Sequence, residues 1–221
     1  MRGNLTDRLL PPATIAAMLA ALYMVFVAVP SDSFQGPVQR IFYVHMAMWL
    51  NTFTAFAIVG VASLLYLWRR EPRWDHLGRA AAELGLLFCS LGLATGSIWA
   101  KPIWGTWWTW DARLTLTLFL FFLFVGYLAL RAALQDPGER ARFSAVVGIL
   151  GMLLVPFIHL SVYLFRTLHP RPIVLKPSAP DLPPEMLRTL LVSFAVFTLL
   201  YIGFVTARYG LALAEEAHDA A

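Results

Sequence analysis

Cysteine is almost missing from this chain: Cys89 is the only one in 221 residues. One thiol cannot close an intrachain disulfide, and without a Cys-x-x-Cys or Cys-x-x-Cys-His run the chain is neither a dithiol oxidoreductase of that type nor itself a c-type cytochrome. Buried in an apolar stretch, Cys89 reads as a small hydrophobe. Charge is scarce as well, at 14% of residues. No Gly-x-x-x-x-Gly-Lys loop or other nucleotide signature occurs, so any work driven by ATP needs a second chain. Nothing in the pattern marks a nucleic-acid partner.

What the chain has is apolar surface. Hydrophobic residues make up 59% of it and mean hydropathy is +0.68, a membrane composition rather than a soluble one. Six windows are long enough for the hydrocarbon core and nearly free of charge: 13–30, 45–68, 81–100, 114–131, 144–165 and 189–207. A spanning segment must satisfy its own backbone hydrogen bonds, which predicts helices. The expected fold is therefore an all-α membrane protein, one polytopic domain over 1–221 with the bilayer as its surroundings. Arg2 and Arg8 ahead of the first window resemble the start of a signal peptide. The apolar part is longer than such a segment uses and no small-x-small site follows it, so it reads as a spanning helix.

Basic residues near the helix ends set the expected orientation. Ten of them (Arg2, Arg8, Arg69, Arg70, Arg73, Arg79, Arg131, Arg140, Arg142 and Arg208) fall on one side and seven on the other. That bias puts both termini in the cytoplasm. The loop between the third and fourth helices then faces outward.

That loop is the centre of the sequence. Five of the eight tryptophans lie between Trp99 and Trp110, and Trp104 to Asp111 reads Trp-Gly-Thr-Trp-Trp-Thr-Trp-Asp. If the segment is helical, Trp104, Trp107, Trp108 and Asp111 share one face at i, i+3, i+4 and i+7. Such a face is a platform for a planar apolar ligand or a partner. The alternative is an interfacial aromatic belt, where indoles sit for their mixed polarity. Asp111 is also placed to cap the fourth span, and Trp110 and Arg113 to stack as a cation–π pair.

Two histidines accompany the loop. His45 opens the second span, with Phe42 and Trp49 one turn to either side; a ligand and a hydrogen-bonded interface histidine fit it equally. His169 ends the fifth span at the same outer edge. His159 lies deeper, after Pro156, which is expected to kink that helix, and reads as a satisfied core residue or part of a path. His76 falls on the cytoplasmic side. The segment from Pro170 to Pro184 holds six prolines and is expected to be extended and semi-rigid, as a connector or as a strap beside the platform. Glu215, Glu216 and Asp219 read as a solvated, frayed tail.

An aromatic platform, two histidines on separate helices and several cations together suit a haem: imidazoles ligate the iron, indoles pack on the macrocycle, and cations pair with propionates. Arg40, Lys101, Arg113, Arg166 and Arg171 are the propionate candidates. Asp111 would repel propionates, so its expected part is to orient an imidazole or indole N–H, or to pair with a nearby base.

These residues also resemble a known family. Trp104 to Thr115, with Asp111-Ala112-Arg113-Leu114 at its centre, is similar to the tryptophan-rich signature of the haem-handling membrane proteins of cytochrome c biogenesis, and within them to the CcmC, or haem exporter protein C, branch. Ile41-Phe42-Tyr43-Val44-His45 and Thr167-Leu168-His169 resemble the histidine motifs that flank that signature, while Leu164-Phe165-Arg166 departs from the tryptophans expected there. The resemblance spans most of residues 35–207. It implies haem b bound non-covalently at the outer face of a bacterial inner membrane, with His45 and His169 as axial ligands. Trp104, Trp107, Trp108 and Trp110, with Trp49, would hold haem and meet a partner, and Asp111 would support them. The implied partners are the haem chaperone CcmE, the ABC-type subunits CcmA and CcmB, and the small subunit CcmD. The implied activity is haem transfer rather than enzymatic turnover, with assistance to covalent attachment of haem on the chaperone. An exporter that carries haem or another hydrophobic solute across the bundle, along Asn51, Pro156 and His159, is the alternative.

Overall fold

The computed structural model describes residues 5–174 and 176–219. Six helices long and apolar enough to cross a membrane account for the fold, and no strand occurs among the described residues. They are α1 (Leu5–Tyr23), α2 (Ile41–Arg69), α3 (Pro72–Trp104), α4 (Ala112–Ala133), α5 (Pro137–Leu164) and α6 (Pro184–Asp219), with a π-helical turn at Met24–Ala28 and a 3-10 turn at Pro37–Arg40. The helices overrun the apolar windows; α3 starts at Pro72 rather than 81, and α6 ends at Asp219 rather than 207. Hydropathy marks only the hydrocarbon depth, whereas a helix whose backbone is already satisfied continues into the polar interface. His45 consequently stands one turn inside α2, not at its start. Pro156 lies within a continuous α5.

α2 is the central helix, packed along α3, α5 and α6, with α4 against α5 and α3; α1 lies on α6. Phe56 of α2 stacks on Phe124 of α4 at 3.7 Å between ring centroids, over a core that includes Ala81, Cys89, Leu120 and Ile158. Cys89 is fully buried there. Small residues let the backbones close up, as membrane helices require where no water drives association. A Cβ on Gly148 would lie 2.5 Å from Ser63 Oγ, and one on Gly60 2.4 Å from Met152.

The turn that matters for the site joins α2 to α3. Arg70 takes φ 59° and its N–H closes on the Tyr66 carbonyl at 2.8 Å, then Pro72 starts the next helix. A left-handed cap usually falls to glycine, and this one folds α3 directly back along α2. The resulting register repeats down the hairpin: Gly85 faces Ala55 and Phe56, Gly92 faces Trp49, and Gly96 faces His45.

At the turn end of α3, far from Gly96, Asp75 and Arg131 form a buried bidentate pair at 2.5 and 2.7 Å, with Arg131 also over the Tyr127 ring. Arg131, counted in the sequence among the basic residues at helix ends, is a packing element. Arg79, Glu83 and Arg208 tie α3 to α6. The acidic tail is not frayed there: Glu216 meets His76 at 2.9 Å and Glu215 meets Arg79 at 3.5 Å, within the last turns of α6. A basic surface at the start of α3 gives those carboxylates a reason to stay helical.

Candidate functional site

The tryptophan-rich segment is not a helix. α3 stops at Trp104, where Gly105 at φ 76° caps it and donates to the Lys101 carbonyl at 3.0 Å, and residues 105–111 run as irregular chain until α4 starts at Ala112. The single face predicted for Trp104, Trp107, Trp108 and Asp111 therefore does not form. Gly105 reaches the left-handed region without a Cβ penalty, and the aromatic and threonine residues after it have poor helix propensity. Trp107 and Trp110 stand exposed, while Trp104 and Trp108 are half-buried. Trp110 packs edge-on against Trp108 at 5.9 Å rather than on Arg113.

Asp111 caps α4 as expected, its Oδ1 accepting from Leu114 N–H at 2.9 Å. Its other oxygen does something the sequence did not indicate. Oδ2 accepts from Thr167 Oγ1 at 2.7 Å and from Thr109 Oγ1 at 3.2 Å, and Thr167 Oγ1 in turn accepts from the backbone N–H of His169 at 3.0 Å. Asp111 thus holds the chain that carries His169, and no imidazole or indole N–H donates to it among the described residues. Asp111→Asn, which keeps an oxygen for the cap, is expected to cost α4 little, whereas Asp111→Ala loses the cap at about 1 kcal/mol. Thr167→Val should cut the link to His169 while leaving the cap whole. Thermal unfolding together with proteolysis of the 165–183 segment checks this; equal protection in Thr167→Val and wild type would remove the link from the account.

His169 stands on that segment beyond α5. Its ring meets Trp104 at 6.3 Å, and Nδ1 lies 3.1 Å from the Pro170 carbonyl. A carbonyl only accepts, so Nδ1 carries the proton and Nε2 the lone pair. Burial first and the Arg113 guanidinium second push the imidazole down to about 4, partly offset by the Pro170 carbonyl and Asp111. At neutral pH it is uncharged, the form that binds metal.

His45 is buried between α2 and α3. Its ring lies 5.7 Å from Trp99 and 6.1 Å from Trp49, and Nδ1 is 3.1 Å from Thr95 Oγ1. Trp99 donates to Gln35 at 3.0 Å and lies 5.9 Å from the Phe42 ring, which fixes the indole beside His45. His45 and His169 lie within electrostatic range of each other, and Arg113 within range of both and of His159. Arg113 Nη1 and Trp108 Nε1 are buried donors with no protein acceptor. The other cations differ. Arg40 donates to the Phe26 carbonyl at 2.5 Å, Lys101 to the Gly105 carbonyl at 2.9 Å, and Arg171 lies over the Tyr163 ring at 5.4 Å. Arg166 is exposed. His76 is at the far end of α3. Asn51, proposed for a path, is wholly buried and donates to the Ala47 carbonyl.

The proline-rich segment is more than a connector. Asp181 N–H closes on the Ile173 carbonyl at 2.9 Å and Lys176 pairs with Asp181, while Ile173, Val174 and Leu182 pack on Phe42, Tyr43 and Leu190. It lies across the same end of the bundle as His45. Thr95, Gly92 and Gly96 are site residues that sequence reasoning missed, and Thr167, though part of the His169 motif, had no role assigned to it. The spacing of Gly85, Gly92 and Gly96 along one face of α3 was the available signal.

The sequence is also similar to known proteins. A family profile described as CcmC, heme exporter protein C, matches residues 3–221. The heme exporter protein C of Bradyrhizobium diazoefficiens is 39% identical over 202 residues, 90% of this chain and 76% of the relative. That of Haemophilus influenzae is 39% identical over 191 residues, covering 85% and 76%, and that of Escherichia coli K12 is 39% identical over 140 residues, covering 63% and 57%.

Proposed function

The chain belongs to the heme exporter protein C family, and from that premise we propose that it binds haem at the outer face of a bacterial inner membrane and passes it to the chaperone CcmE during cytochrome c maturation. Haem b is then a non-covalently held cargo. His45 and His169 are its axial ligands, and Trp49, Trp104, Trp107, Trp108 and Trp110 give apolar contact and the approach surface for the chaperone. One observation carries this: two imidazoles lie within electrostatic range of each other at one end of the bundle, each with Nδ1 engaged by an oxygen, which leaves Nε2 to ligate. Arg113, with a buried and unpaired Nη1 and within electrostatic range of both histidines, is the first residue for a propionate. Lys101 is committed to its helix end and ranks below it.

The chain acts as a transfer factor rather than an enzyme, and assists covalent attachment on the chaperone by presenting the haem. Assembly with CcmA and CcmB supplies the nucleotide-binding function that this sequence lacks, and CcmD completes the complex. The direct test is the absorption spectrum of protein purified in detergent, followed by transfer of haem to added CcmE. Protein that holds no haem, yet still supports chaperone loading, would sink the proposal.

Orientation has its own test. In a Cys89→Ser background, cysteines placed at 177–180 are expected to react with an impermeant maleimide from outside, while those at 72–78 stay protected. The reverse pattern would move the site to the cytoplasm.

A further inference from the structure

We infer that Thr95 and Gly96 of α3 are the positioning residues for His45, fixing both its tautomer and its ring plane; this rests on the axial-ligand reading above. Thr95 Oγ1 has one proton. It lies 2.7 Å from the Leu91 carbonyl and 3.2 Å from that of Gly92, both acceptors, so the hydroxyl proton goes into its own helix. The contact at 3.1 Å to His45 Nδ1 then has the hydroxyl oxygen as acceptor and Nδ1–H as donor. Nε2 keeps the lone pair. A hydroxyl tied down in this way cannot reverse the bond without giving up its carbonyl, so the other tautomer is disfavoured.

Gly96 sets the plane. A Cβ there would sit 2.9 Å from His45 Cε1, 3.5 Å from Nδ1 and 3.8 Å from Nε2, so the imidazole lies against bare backbone. One turn earlier, a Cβ on Gly92 would sit 2.9 Å from the Trp49 indole, so that ring also lies against bare backbone. His45 and Gly96 are equidistant in sequence from the Arg70–Glu71 turn, as are Trp49 and Gly92. The hairpin register therefore delivers ring to glycine at both levels. Trp99, edge-on at 5.7 Å, closes the remaining side. The two histidines are thus held differently: His45 by a helix pair, His169 by a loop bonded to Asp111 through Thr167.

The test uses full-length protein loaded with hemin and compares Thr95→Val, Thr95→Ser and Gly96→Ala with wild type and His45→Ala. Gly126→Ala serves as control, since its Cβ meets nothing within 4 Å. Readouts are the absorption and electron paramagnetic resonance spectra, the reduction potential, and the rate of haem loss to apomyoglobin. Thr95→Val keeps shape and removes the acceptor, so haem loss should quicken by about 10-fold and the potential should rise, the imidazole being a poorer donor without its hydrogen bond. Thr95→Ser should restore both. Gly96→Ala should turn the ring away and add a high-spin component that Gly126→Ala lacks. If His45→Ala changes the spectrum while Thr95→Val and Gly96→Ala match wild type, the positioning role is overturned and the ligand stands. If His45→Ala leaves the spectrum unchanged, the axial reading fails and this inference with it. Circular dichroism and gel filtration separate a misfolded variant from a misplaced ring; a Gly96→Ala protein that folds and stays fully low-spin counts against the inference.

Discussion

In haem-loaded protein, His169→Ala is expected to turn a low-spin, two-histidine spectrum into a high-spin one and to weaken haem retention by more than the roughly 10–100-fold that losing a ligand's hydrogen-bond partner costs. The helical fold should be unaffected. His169 sits half-buried on the segment after α5, so its removal opens no cavity in the bundle. His45→Ala should give the same spectral change with an added loss of stability. Its ring fills the space between Trp49, Trp99 and Gly96, and deleting it leaves a void that the two helices cannot close without shifting their register. The two variants are therefore distinguished by unfolding midpoint even where their spectra coincide. Low-spin spectra unchanged from wild type in both would remove these histidines as ligands. A change in only one would leave a single-histidine site.

The second large effect lies at the opposite end of the molecule. Arg131 and Asp75 are among its most enclosed charges, with side chains 7% and 11% exposed. Breaking such a pair strands the partner, so Arg131→Ala is expected to cost about 3–5 kcal/mol, because the Asp75 carboxylate stays buried without its bidentate donor. Arg131→Met with Asp75→Leu should recover most of the loss, since an apolar pair of similar volume carries no desolvation cost. Asp75 and Gly96 are roughly 30 Å apart along α3 at 1.5 Å per residue. The haem spectrum of whatever folds should accordingly match wild type. Thermal unfolding in detergent checks the magnitude, and a loss below about 1 kcal/mol for Arg131→Ala would place the pair with ordinary surface ion pairs.

Both expectations depend on contacts that differ in how far the sequence reveals them. The six helices were legible because lipid leaves a spanning backbone one solution, and hydropathy reports depth directly. Asp111 as the cap of α4 was legible from its place before an apolar run. The tryptophans were legible as a dense aromatic segment but not as a shape. Gly105, in the left-handed region, ends the helical spacing that would have aligned them.

By itself, then, the chain determines membrane class, span number and the residue types gathered at one end, since these depend on composition and on periodicity within single segments. Tertiary structure decided everything that joins segments distant in sequence. The hydroxyl of Thr167 on Asp111, the seat of His45 on Thr95 and Gly96, the burial of Arg131 and the pairing of Glu215 and Glu216 with α3 all depend on where one helix lies against another. That placement follows from the Arg70–Glu71 turn and from glycines whose missing side chains are visible only once a neighbour is packed against them. A local pattern cannot report it, because the same threonine or glycine on a lipid-facing stripe would carry the same signal and touch nothing.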